Sequence, residues 1–182
     1  SFYDSAVMII ASAGVALPVF WVALMPIIFF SLKLDWLPPF GSSGWKAYVL
    51  PVFALSLNEL ALLTRLMRGT MLEVLEQDYV PTARAQGLSE YVVIVGHAVR
   101  NALLPVITVL GLRAGFLISG SVVVESIFAW PGLGTLFIDS VNRFDFQVVQ
   151  AIVVLLTIFV LLANIATDLV YAVVDPRIRL NK

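Results

Sequence analysis

The sequence contains no cysteine and a single histidine, His97. Disulfides and thiolate metal sites are therefore excluded, and a multi-histidine site within the chain is impossible. Charge is scarce too: 13% of the 182 residues are charged, against about 25% in a soluble domain. The net charge of −1 offers no basic surface to a nucleic acid. No Gly-x-x-x-x-Gly-Lys-Ser/Thr phosphate loop occurs, so the chain cannot bind and hydrolyse ATP by that route. Neither a Gly-x-Ser-x-Gly elbow nor a His-Glu-x-x-His zinc helix occurs. The first residue is Ser1, with no basic n-region ahead of the first apolar run. That run does not read as a signal peptide, and the chain is expected to be a piece of a longer protein.

What the chain has in abundance is oil. It is 60% hydrophobic, with a mean hydropathy of +0.99, which predicts an all-α, polytopic transmembrane protein. A spanning helix needs about 20 mainly apolar residues. Residues 6–32 carry no charge, residues 102–124 only Arg113, and residues 148–174 none before Asp168. A fourth segment, residues 48–67, contains Glu59 and Arg65 and would fail a strict hydropathy cut. Parity supports it. With four spans, the loop over residues 68–100 and the C-terminal tail share a side. That side holds Arg65, Arg68, Arg84, Arg100, Arg177, Arg179 and Lys182, seven of the eleven basic residues. The positive-inside rule then places the loop and both chain ends in the cytoplasm. On the other side, residues 35–48 combine turn formers with tryptophans. Residues 125–147 are too apolar for a solvated loop; Pro131 and Gly132 break them, and residues 133–141 read as a short interfacial helix.

The cytoplasmic loop carries a helical hairpin, DYVPTARAQGLSEY, at residues 78–91. Asp78 suits a helix N-cap, with Pro81 in the first turn. Gly87 suits the left-handed position that ends a helix. Ser89 can cap the next helix, with Glu90 near its positive end. Ala83 and Ala85 are small enough to admit another surface closely. A helical loop without a partner is the alternative reading of the same pattern.

The hairpin resembles the EAA loop of permease subunits of ABC importers: Glu-Ala-Ala, three residues, Gly, nine residues, then Ile-x-Leu-Pro. Pro81, Thr82 and Ala83 stand in the Glu-Ala-Ala places and Gly87 takes the glycine. His97, Val99 and Arg100 fall where Ile, Leu and Pro would be, so only Ala83 and Gly87 match. One branch is closer. MLEVLEQDYVPTARAQGLSEYVVIVGHAVRNALLP (71–105), VVVESIFAWPGLG (122–134) and DLVYAVVDPRIR (168–179) are similar to the first permease subunit of oligopeptide, dipeptide and nickel importers. LPVFW (17–21) and LDWLPPFG (34–41) are similar as well.

This resemblance implies a type I ABC importer permease fold, of which the chain would be the C-terminal four of six spans. It implies a coupling helix formed by Tyr79, Thr82, Ala83, Arg84, Ala85, Gln86, Gly87 and Leu88, lodged in a cytoplasmic ATPase. The implied partners are a second permease subunit, two ATPases, an external solute-binding protein and the lipid bilayer. ATP and magnesium would be bound by the ATPases, and this chain would need no cofactor. The implied setting is a bacterial or archaeal inner membrane, and the implied cargo short peptides. A nickel or nickel-chelate importer is the alternative within the family.

Within the spans, Gly111 and Gly115 form a GxxxG pair with Ser119 next on the same face, a pattern that lets helices approach closely. Pro18 and Pro26 predict kinks in the first apolar run. At ~1.5 Å rise per residue, Glu59 and Arg113 lie roughly 14 and 17 Å into their spans. Both therefore reach mid-depth in a core about 30 Å thick. A charge there faces a partner or a wet cavity, so the two residues are expected either to pair or to line a pathway. Asp168 and Asn164 could serve a proton relay, though an acid near the interface more often bonds a neighbour. An intramembrane enzyme lacks a nucleophile–base set. A passive channel would need no docking hairpin, and a structural scaffold would tolerate its loss.

Overall fold

The computed structural model describes residues 2–174, with all side chains among them except those of 114, 116–120 and 171–174. The basic tail and the Ser119 side chain lie outside that range. Every described element is a helix: α1 (Phe2–Ala16), α2 (Val19–Pro26), α3 (Lys46–Leu75), α4 (Tyr79–Ala85), α5 (Arg100–Ile127), α6 (Leu133–Asn142) and α7 (Phe146–Val174). Two π-helical stretches, Ile27–Lys33 and Val92–Val99, adjoin α2 and α5. Among the described residues, three helices are long and apolar enough to cross a bilayer: Lys46–Leu75, Val92–Arg113 and Phe146–Val170. Two bent helix pairs raise the number of possible spans to five.

The first apolar run, expected as one span over residues 6–32, folds as two helices that meet at 105°. Pro18 is the cause. It disfavours helical geometry at Leu17 and itself adopts an extended conformation (ψ 143°), starting a new helix. Pro26 acts differently. It has no N–H for the carbonyl four residues back, and the ladder beyond it shifts register, as in the bond from the Leu34 N–H to the Phe29 carbonyl at 3.2 Å.

The chain forms two compact units. The described residues of the first are 2–62 and 114–161. Its core gathers Val22, Ala23, Ile27, Leu50, Ala54, Val124 and Phe128. Lipid tails are as apolar as leucine, so close packing rather than water exclusion holds helices together in a bilayer. Gly14 shows this: a Cβ there would lie 2.8 Å from the Ala61 Cβ, so α1 touches α3 only because residue 14 has no side chain. The loop after Lys33 is tied down by the Gly41 N–H, which donates to the Phe128 carbonyl at 2.9 Å.

The described residues of the second unit are 63–113 and 162–174. Its core is Val74, Ala98 and Ala102, flanked by Met67, Met71, Leu75 and Tyr79. Val80 and Val93 are fully buried. The expected boundary of a span at Met67 concealed this, because α3 continues to Leu75 and brings the hairpin the apolar surface it lacks. The Thr70 hydroxyl, 3.1 Å from the Ala102 carbonyl oxygen, links α3 to α5.

Candidate functional site

In the second unit, α4 and the helix that starts at Glu90 form the hairpin. The N-terminus of α4 is not capped as the sequence suggests. Asp78 has helical dihedrals (φ −57°, ψ −26°) and its side chain caps nothing. Its carbonyl instead accepts a 2.9 Å bond from the Thr82 hydroxyl. The chain turns into α4 without leaving helical geometry, so the carboxylate never faces the free N–H groups.

The other end follows the sequence closely. Gly87 has φ +80°. The Gly87 N–H donates to the Arg84 carbonyl at 3.0 Å and the Leu88 N–H to the Ala83 carbonyl at 3.4 Å, the paired bonds of a Schellman end. Across the turn, Arg84 Nε and Nη2 donate to the two carboxylate oxygens of Glu90 at 2.8 and 3.3 Å. Both side chains are largely exposed, so the pair contributes only about 0.2–1 kcal/mol. Its two parallel bonds bridge the turn between the two helices.

The eight residues expected to face a partner divide. Tyr79 turns inward, packs on the unit's core and accepts a 2.8 Å bond from Asn101 Nδ2. Ala83 is half-buried. Thr82, Arg84, Ala85, Gln86, Gly87 and Leu88 are exposed. Tyr91, absent from the sequence-based set, is 74% exposed at the edge of the same surface. Its signal was its place: an aromatic one residue into a helix whose inward position is Val93. Asn101 and Thr70 carried no local signal, since their partners lie 22 and 32 residues away.

In the first unit the sequence reading missed a carboxylate. Gly132 occupies the N-cap of α6 and has no side chain to bond the free N–H groups. Glu125, at the end of α5, supplies the oxygen: its Oε2 accepts the Thr135 N–H at 2.9 Å. The Thr135 hydroxyl oxygen in turn accepts the Gly132 N–H at 3.1 Å. Both glycines are needed. A Cβ on Gly132 would overlap the Glu125 carboxyl group, and one on Gly134 would lie 2.6 Å from Val122 Cα. The ESIFAWPGLGT stretch thus folds α6 back against α5 at 85°, with a negative charge at the positive end of the helix. Tyr48 stacks edge-on against Trp130, centroids 4.6 Å apart. The signal was a lone glutamate in an apolar run, seven residues before Gly-x-Gly-Thr.

Gly111 and Gly115 meet α7 unequally. A Cβ on Gly111 would sit 2.5–2.8 Å from the Thr167 side chain, whereas one on Gly115 would make an ordinary 3.7 Å contact with Val160. Glu59 on α3 and Arg113 on α5 are both half-buried, and neither is without an interaction partner. Asp168 is exposed and Asn164 half-buried.

Bilayer-length apolar helices, with a helical hairpin folded onto the ends of two of them, define a polytopic membrane protein. The chain belongs to the family described as binding-protein-dependent transport system inner membrane component, which matches residues 1–180. Membership makes it a multi-pass inner membrane protein and not an enzyme. It is 43% identical over 176 residues to the glutathione transport system permease protein GsiC of Escherichia coli strain K12. The GsiC proteins of Shigella dysenteriae serotype 1 and Shigella boydii serotype 4 are 43% and 42% identical over the same length. Each match covers 97% of this chain and 58% of the relative, so the chain spans little more than half the length of these proteins.

Proposed function

We propose that this chain is part of a permease subunit of an ATP-driven importer and forms, with a second permease, the translocation path for short peptides. Two ATPases dock on the hairpin, bind ATP and magnesium, and drive alternation between outward-open and inward-open states. An external binding protein delivers the cargo. The hairpin and both ends of the chain face the cytoplasm. The observation that carries this reading is the hairpin itself. Its outer edge, from Arg84 to Tyr91, is exposed, yet its backbone is held by a Schellman end and a buried valine on each arm. A surface with an ordered backbone, left uncovered by the described residues, suits a protein partner. Glutathione, named for the relatives, is itself a short peptide.

The test is Gly87→Leu. Left-handed geometry costs a non-glycine residue about 1–2 kcal/mol. A Cβ at residue 87 meets nothing within 4 Å, so the leucine projects into the space assigned to the ATPase. Membrane insertion should persist while ATPase pull-down and uptake of labelled glutathione or a labelled dipeptide both fall. Normal association with normal uptake refutes the docking.

A further inference from the structure

Helices that end in a left-handed residue usually place glycine there, as α4 does with Gly87. The end of α6 has the same hydrogen bonds: the Phe144 N–H donates to the Val141 carbonyl at 3.1 Å and the Asp145 N–H to the Ser140 carbonyl at 2.9 Å. The left-handed residue, however, is Phe144, at φ 58°. A bulky side chain in that conformation is strained, and here the ring gains no interior packing in return. Phe144 is 77% exposed and Phe146 65% exposed, and the two rings meet each other edge-on at 6.5 Å. Glycine would close the same turn without strain.

The surroundings of the rings indicate what they face. They stand at the start of α7, along whose apolar stretch Phe146–Val170 Ile152 alone is buried among the described residues. Val153, Val154 and Ile158 continue that exposed apolar face. Leu133, Leu136, Ile138 and Val141 of α6 are exposed beside them in sequence. Asp145 turns its carboxylate back to accept the Val148 N–H at 3.2 Å, so the charge caps α7 rather than pointing away with the rings.

We propose that Phe144 and Phe146 insert into the bilayer at the boundary between headgroups and hydrocarbon. They anchor the start of α7 there, and α6 lies in the interface beside them. The occupant of this surface is phospholipid. Apolar rings continuous with a lipid-length apolar face suit acyl chains, and exposed Arg143 suits a headgroup phosphate. On this reading the strain at Phe144 is kept because glycine would close the turn and lose the anchor.

The absence of cysteine in this chain makes the test direct. Nitroxide labels on Phe144→Cys and, separately, Phe146→Cys are placed in the assembled complex, with cysteine-free partner subunits, in vesicles of phosphatidylcholine and phosphatidylglycerol. Both labels should be accessible to oxygen several-fold more than to an aqueous nickel chelate. Phe144→Gly should raise the thermal midpoint of the complex in detergent while making the label at residue 146 more accessible to the chelate in vesicles. A label at 144 open to the chelate, or shielded from both reagents, overturns the proposal: the first result puts the ring in water, the second against a protein. A Phe144→Gly variant that leaves the depth of residue 146 unchanged also overturns it.

Discussion

Replacing Glu125 with alanine removes two contributions at once. The Thr135 N–H loses its acceptor, as when a helix loses its cap, at a cost of about 0.5–2 kcal/mol. The start of α6 loses a negative charge, worth about 0.3–1 kcal/mol. Together these amount to about 1–3 kcal/mol. Gly132→Ala should cost a similar amount by another route. Residue 132 is extended, at φ −133° and ψ −175°, so alanine is not strained there. Its Cβ overlaps the Glu125 carboxyl group and drives it off the helix, toward the cavity of about 180 Å³ that Glu125 lines with Tyr48, Ser121 and Trp130. Both substitutions break the same hydrogen bond, so the double variant should be little worse than either single one. Glu125→Gln keeps an acceptor and should lose only the charge contribution. Glu125→Ala with Gly132→Ser should recover most of the cap, because the serine hydroxyl can accept the Thr135 N–H in the space left by the carboxylate. Thermal midpoints of the purified complex, read across this set, measure the coupling. Additivity of the two alanine substitutions, within about 0.5 kcal/mol, would falsify the cap.

Gly111→Ala places a Cβ against Thr167 and should destabilise the complex by about 1–3 kcal/mol. Thr167→Ala should relieve it, and a Gly111→Ala complex as stable as the parent refutes the close contact. If Glu59 and Arg113 pair, Glu59→Gln and Arg113→Gln should each lower the yield of assembled complex by several kcal/mol of stability, and the double variant should recover. If they line the path instead, the single variants assemble but transport poorly and the double is no better; wild-type behaviour of both singles refutes both roles. Single cysteines at Ser43 and Gln86 should label from opposite sides of the membrane. Reaction of both with an impermeant reagent outside intact cells refutes the cytoplasmic assignment of the hairpin.

Much of the helical architecture could be read from the sequence because its signals are local. Apolar runs marked most of the long helices and the parity of the basic residues marked α3, Gly87 marked the end of α4, and Pro131 with Gly132 marked the break before α6. The reading failed where geometry depends on distant residues. Pro18 announced a kink, but its size depends on what α1 and α2 pack against, and hydropathy continues smoothly through a 105° bend. Glu125 looked like part of a family motif, and nothing local revealed that its partner was a backbone N–H ten residues on. Asp78 had the composition of a cap and the wrong dihedrals for one. Tyr79 was grouped with the outer surface through the resemblance to a coupling helix, whereas the extension of α3 to Leu75 gave it an apolar surface to turn toward. Phe144 was invisible, since no glycine marked the left-handed position.

The cradle around Glu125 also constrains how such a sequence can change over generations. A lineage could in principle exchange the borrowed carboxylate for an ordinary serine cap at residue 132, reaching a fold of similar stability. Every single-step route begins badly. Losing the glutamate first leaves the helix end bare, and gaining a side chain at residue 132 first collides with a carboxyl group that is still in place. Gly134, whose missing Cβ makes room for Val122 as well as for the carboxylate, would gain little freedom from either step. Two good solutions are therefore separated by a stability valley. A population holding one of them would tend to keep it for reasons unrelated to the cargo the protein carries.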